Sequence, residues 1–110
     1  MSWSRRNKYG VSPKDARTYK DIVFHSKKEM ARYQELEVME KVGEILDLRL
    51  QPSFDLIVNG VKVGRYVADF WYETPSGEAV VEDVKGVRTP VYRLKKKITE
   101  ALYGFEITEI

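Results

Sequence analysis

Two acids and a lysine carry the clearest chemical signal in the chain. In VADFWYETPSGEAVVEDVKG, Asp69 precedes Asp83-Val84-Lys85 by fourteen residues. Side chains two apart on a strand share a face, so Asp83 and Lys85 point one way, and Glu82 and Val84 the other. If Ala79 to Val84 folds back through the TPSG turn onto Val67 to Tyr72, Asp69 comes close to Asp83. Two carboxylates held together repel each other, and a bound divalent cation removes that cost. Hard oxygen donors with room for water and phosphate suit Mg²⁺ or Mn²⁺. Lys85 would then sit beside the metal, placed to orient or deprotonate a water or to stabilise charge on a phosphoryl group under attack. Each residue also has a plainer reading. Asp69 lies among Val67, Ala68, Phe70 and Trp71, where an acid needs a partner, and a salt bridge to Lys85 would provide one. Asp83-x-Lys85 alone also fits an ordinary surface strand. Glu82, on the opposite face, reads as solvated or ion-paired, and Phe70, Trp71 and Tyr72 read as core.

The elements that must position these residues follow from period and punctuation. SKKE at Ser26 to Glu29 is a capping box, with the Ser26 hydroxyl capping an early helix amide while Glu29 reaches back. The helix it starts runs to about Val42, with Ala31, Val38 and Val42 on one apolar strip and Tyr33, Leu36 and Met39 on the next. Glu29 lines up with Tyr33 and Leu36 and so leans toward the core. His25 reads as a loop residue before the helix. After Gly43 the period changes to two, through Leu46 to Leu50 and Phe54 to Val58. Asn59-Gly60 is a hairpin signal, followed by Val61 to Val63, Arg65 to Tyr72, and Ala79 to Val84. Pro90 suits the first turn of a second helix reaching about Tyr103, and Phe105, Ile107 and Ile110 suggest a last strand. Asp21 to Phe24 reads as a short strand, and residues 1–20 as a basic arm with little structure of its own. The order is α-β-β-β-α-β, which argues for an α+β or mixed-sheet domain with helices packed on the sheet.

The chain's 110 residues suffice for one domain. The absence of cysteine and the single histidine, His25, exclude disulfides and a zinc site built on thiolates or several histidines. No apolar run approaches the roughly 18 residues of a membrane span, and no apolar segment follows the basic start, so a cytoplasmic protein without membrane association is expected. The net charge of +2 is unevenly spread. Residues 1–28 carry +6, residues 29–84 carry −7 and residues 85–110 carry +3. Basic ends around an acidic middle fit a surface that touches phosphate while acids are gathered around cations, or a mixed solvated surface.

With these residues in hand, the chain resembles the PD-(D/E)XK nuclease superfamily. FHSKKEMARYQEL, LQPSF, YVADFWY and VVEDVKG are similar to segments of small phage-encoded nucleases and, more loosely, of Holliday junction resolvases. The resemblance spans about Tyr19 to Ile110 and implies a restriction-endonuclease-like αβββαβ core over residues 21–110. It implies Glu29, Asp69, Asp83 and Lys85 as catalytic residues. Asp69, Asp83, Glu29 and the Val84 backbone carbonyl would hold Mg²⁺ or Mn²⁺, and Gln51 would support the site through a hydrogen bond. Ala68 stands where the superfamily has proline, a position that shapes backbone and binds no metal. Arg5, Arg6, Lys8, Lys27, Lys28, Arg93, Lys95, Lys96 and Lys97 are the expected phosphate contacts, against a plainer role in solubility. No helix-turn-helix or zinc finger is present to read bases. The implied function is a metal-dependent DNA endonuclease, acting on a four-way junction or other branched DNA as a homodimer in the cytoplasm, that of the host if phage-encoded. The alternatives are a nuclease of the same fold for nicked, single-stranded or duplex DNA, and a DNA-binding module without turnover.

Overall fold

The computed structural model describes residues 12–110. A 3-10 turn at Lys14–Arg17 leads into β1 (Thr18–Tyr19) and β2 (Ile22–Val23), then α1 (Lys27–Lys41), β3 (Leu46–Leu50), β4 (Ser53–Val58), β5 (Val61–Val67), β6 (Phe70–Glu73), β7 (Ala79–Asp83), α2 (Pro90–Tyr103) and β8 (Ile107–Glu109). One four-stranded sheet has the order β3-β6-β7-β8. Its first three strands are antiparallel neighbours, and β8 returns through α2 to lie parallel to β7. Setting aside β4 and β5, which pair only with each other, the order is helix, three strands, helix, strand. The class is α+β with a mixed sheet.

Each helix covers one sheet face, and the strand alternation assigns the residues. Phe24, Leu36, Ile45, Phe70 and Tyr72 form the core under α1. Leu56, Tyr66, Ala68, Val81 and Ile107 form the core under α2. Tyr33 stacks on Phe70 at 6.2 Å between ring centres, seating α1 on β6. Burial of side chains this size supplies roughly 2–3 kcal/mol each, and Phe70, fully enclosed, is the one whose loss would open the largest hole.

Local chemistry accounts for the boundaries. Ser26 Oγ accepts the Glu29 amide at 3.0 Å and starts α1. Asn59 and Gly60, both at positive φ, close the β4–β5 hairpin. Thr89 caps α2 ahead of Pro90, and Gly104 ends it in the left-handed conformation.

Three expectations are corrected. The Ala31, Val38, Val42 strip of α1 faces solvent, Val38 being 61% and Val42 64% exposed. One face of a four-stranded sheet covers the Tyr33, Leu36, Met39 strip, and a strip centred about 140° away around the helix misses it. Arg65 to Tyr72 is not one strand but the end of β5 and the start of β6 in two different sheets. The period-two pattern continues through the break, which hides the change of partner. Finally, Lys14 to Tyr19, within the expected arm, is structured, and it pairs with the strand expected over Asp21 to Phe24: Lys20 and Asp21, both at positive φ, turn β1 into β2. Tyr19 and Lys20 bond Glu37 of α1 at 2.8 and 3.0 Å.

Candidate active site

Asp69 sits where the chain leaves the β4–β5 hairpin and enters the main sheet. Three backbone bonds hold that crossing: Ala68 N–H to Pro52 O at 3.0 Å, Gln51 N–H to Asp69 O at 2.9 Å, and Asp69 N–H to Glu82 O at 3.1 Å. The first explains the residue at position 68, because a proline has no N–H to donate. β6 and β7 pair with Phe70 opposite Glu82, so Asp69 stands one step on, opposite Asp83. Its Oδ2 accepts the Val84 amide at 2.6 Å, bringing the Val84 backbone into the site.

Asp83 ends β7 and is 1% exposed. Tyr66 of β5 donates its hydroxyl to Asp83 Oδ2, and Lys85 Nζ lies 3.1 Å from Oδ1. The Lys85 ammonium also rests over the Tyr92 ring, 4.0 Å from its centre, a cation–π contact that aims it from the α2 side. The alternation therefore holds as expected, with Asp83 and Lys85 together on one face.

Glu29, only 3% exposed, comes in from the first turn of α1. Its carboxylate accepts the amide of His25 at 2.7 Å, one residue before the N-cap, so the back-bond of the capping box falls on His25 rather than Ser26. Capping and site placement are thus compatible in one side chain. His25, Glu29 and Asp69 each bring one ligand atom to within 4.8 Å of the other two. Gln51, at positive φ, lines a small cavity beside Glu29 and is joined to Asp69 through its backbone.

Glu29, Asp69 and Asp83 thus form a row with Asp69 in the middle, within reach of both neighbours. Burial raises the Asp69 carboxyl above its ordinary value, with Glu29 adding to the effect and Asp83 and the Val84 amide opposing it. Asp83 is pushed up to about 7, first by burial and then by Asp69, against the opposing pull of Tyr66 and Lys85. Burial, with Asp83 as acceptor, likewise raises the Tyr66 hydroxyl. Carboxylates crowded in this way take up a proton or a cation. Three oxygen donors from three elements, with an imidazole at the edge, fit a divalent ion of the Mg²⁺ or Mn²⁺ type.

The family described as "protein of unknown function (DUF1064)" matches residues 6–108. The chain belongs to that family. No curated protein and no solved structure matches it.

Of the residues singled out in this DUF1064 chain, Glu29, Asp69, Asp83, Lys85 and the Val84 backbone come together, with Gln51 at the margin. Lys85 pairs with Asp83 and not with Asp69. Glu82 is ion-paired but not solvated: it is 1% exposed and takes Arg32 in a two-pronged contact at 2.8 and 2.6 Å. Phe70 and Tyr72 are core, while Trp71 is half-buried under Arg49.

The expected phosphate contacts divide. Lys27 and Lys28 are exposed on the first turn of α1, and Lys28 Nζ reaches Lys85 O at 3.4 Å, beside the acids. On α2, Lys95 faces the cleft next to Lys85, Lys96 lies 3.6 Å from Glu100, and Arg93 and Lys97 are exposed. Arg5, Arg6 and Lys8 lie outside the described residues. His25, Tyr66 and Tyr92 were not legible as site neighbours. For His25 a signal existed, its i,i+4 spacing to Glu29; the tyrosines reach the site only through packing of β5 and α2.

Proposed function

We propose that this chain is a metal-dependent endodeoxyribonuclease of the PD-(D/E)XK superfamily, acting on a four-way junction or other branched DNA. One observation carries the reading: Glu29, Asp69 and Asp83 converge from a helix, a strand crossing and a strand end, with Lys85 ion-paired to Asp83 beside them. The αβββαβ order agrees with it, as do the segments that resemble phage nucleases. A sheet held together for binding alone gives no reason to bring three acids together, with Glu29 and Asp83 buried.

Hydrolysis joins a water oxygen to phosphorus and breaks one P–O ester bond, the water's proton passing on to the departing oxygen. Asp69, Asp83, Glu29 and the Val84 carbonyl would hold Mg²⁺ or Mn²⁺, which when bound supplies Lewis-acid stabilisation at the phosphate. Lys85, an ammonium fixed by Asp83 and the Tyr92 ring, is placed to orient the water and to balance charge growing on the phosphoryl oxygens. Lys27, Lys28 and Lys95 contribute sequence-independent phosphate contacts.

Symmetric cutting of a four-way junction needs two such sites, so the working form is a homodimer. Exposed Ile57, Val61 and Val63 on the β4–β5 hairpin offer apolar surface for it. No helix among the described residues is long and apolar enough to cross a membrane.

The test is cleavage of a labelled four-way junction beside a matched linear duplex, with Mg²⁺ or EDTA. Paired, metal-dependent cuts in the junction, lost in Asp83→Asn and Lys85→Ala, are expected. Cuts in linear, nicked or single-stranded DNA instead would keep the chemistry and move the substrate. Binding without cutting on every substrate, in Mg²⁺ and in Mn²⁺, would overturn the reading in favour of a DNA-binding module.

A further inference from the structure

Beside the acids runs a cleft of about 490 Å³ between β5 and the start of α2. Lys85 and Tyr66, the two residues that hold Asp83, stand in its wall. Three cations line it, Arg65 from β5, Lys85, and Lys95 from α2, and no acid does. Nearby cations are already matched: Lys62 with Asp55 at 3.2 Å, Arg88 with Glu109 at 3.0 Å, and Lys96 with Glu100 at 3.6 Å. Among the described residues Arg65 and Lys95 make no ion pair. By contrast, a second surface cleft near α1 sets Lys20 and Lys41 against Glu37 and Glu40 and is balanced. The rest of the lining is Thr89, Tyr66, Tyr92 and two exposed valines, Val67 and Val91.

Unmatched cations beside exposed apolar surface suit a chain that alternates anionic and apolar parts, as a nucleic-acid strand does. The basic N-terminal segment, with Arg5, Arg6 and Lys8, has the wrong charge to fill the cleft. We infer that the cleft between β5 and α2 receives the DNA strand flanking the bond to be cut, with Arg65 and Lys95 on one backbone phosphate and Val67 and Val91 against its sugar and base. The inference rests on the nuclease reading and extends it. It brings in Arg65, which nothing in the sequence singles out, and gives the hairpin a part in substrate binding. The phosphate on Arg65 and Lys95 is distinct from the one at the acids, with Lys85 between the two.

The test is fluorescence anisotropy of a labelled four-way junction and a labelled single strand with the full chain in EDTA, so that nothing is cut, over a series of salt concentrations. Arg65→Ala and Lys95→Ala should each weaken binding about tenfold, and because the two share one phosphate the double variant should lower the salt slope by about one. Arg65→Lys should keep most of both. Lys41→Ala, in the balanced cleft, should match the wild type. A fold defect would weaken binding without that loss of slope, and matching thermal melts exclude it. If the wild type binds and cuts DNA while Arg65→Ala and Lys95→Ala bind as it does, this inference fails and the nuclease reading stands. If the wild type neither binds nor cuts any DNA, the nuclease reading fails and takes this one with it. If inorganic phosphate displaces the single strand at concentrations similar to those at which a mononucleotide does, the cleft is a small-anion site and the strand path is overturned.

Discussion

Glu82 and Asp83 are neighbours on β7, each 1% exposed, and they face opposite sides of the sheet. On the α1 side, Glu82 receives both prongs of Arg32 and the Tyr72 hydroxyl, the latter at 2.5 Å. Its charge is fully matched, and burial with Glu82 as partner pushes Tyr72 up to about 12. On the other side Asp83 has one ammonium and one phenol but must share its space with Asp69. One buried acid is thus satisfied by the protein and the next is left short of positive charge. The first arrangement holds α1 against the sheet; the second leaves a demand that a proton or a cation meets.

The comparison breaks most visibly if Arg32 is removed. Arg32→Ala should cost about 3–5 kcal/mol, since it strands a buried carboxylate, whereas Asp83→Asn should leave the metal-free protein as stable or more so. Denaturant unfolding of both variants in EDTA measures the difference. If Arg32→Ala proves mild, the Glu82 network is not the structural half of the pair.

Metal sharpens it next. At about a hundredfold excess over its dissociation constant, Mn²⁺ or Mg²⁺ should stabilise the wild type by about 2.7 kcal/mol, and chelation should remove the gain. Asp83→Asn should lose most of the effect and Glu82→Gln should keep it, read as thermal melting with and without metal.

The pH dependence separates the two acids again. Asp83 has its folded value raised to about 7, above that of an unfolded chain, so its contribution to stability is full in acid and is lost as pH rises through about 7. Metal-free protein should therefore weaken from about pH 4 to 7. The slope should flatten in Asp83→Asn and in saturating metal, and equilibrium unfolding across that range checks it.

The smallest effects come from the two phenols. Tyr72→Phe should cost about 1–3 kcal/mol through one lost bond to a charged group. Tyr66→Phe should act mainly on titration. Tyr66 holds Asp83 down, so its loss should move the Asp83 carboxyl further up, as followed by carboxyl carbon NMR.

Much of the scaffold was legible because it is written at short range. Ser26 and Glu29 mark the start of α1, Asn59-Gly60 closes a hairpin, and Pro90 and Gly104 bracket α2. Asp69 and Asp83 were legible as a pair because a single turn separates their strands, so their spacing sets the register. Glu82 was half legible: alternation put it on the far face, yet its partner Arg32 lies fifty residues away, and no local pattern points there. Val38 and Val42 misled because helical period says which residues share a strip but not which strip the sheet will cover.

The amino-acid sequence by itself determined the two helices and the strands between and after them apart from the break between β5 and β6, the hairpin and helix ends, and the facing of Asp83 with Lys85 away from Glu82. All of these follow from turn chemistry and from periods of two and 3.6 residues. The tertiary structure decided that β4 and β5 leave the main sheet, that Glu29 and His25 meet Asp69, that Tyr66 and Tyr92 hold Asp83 and Lys85, and that Arg65 and Lys95 face one cleft. Those contacts depend on which strand edges and helix faces meet in three dimensions, and burial of the two cores under α1 and α2 selects them.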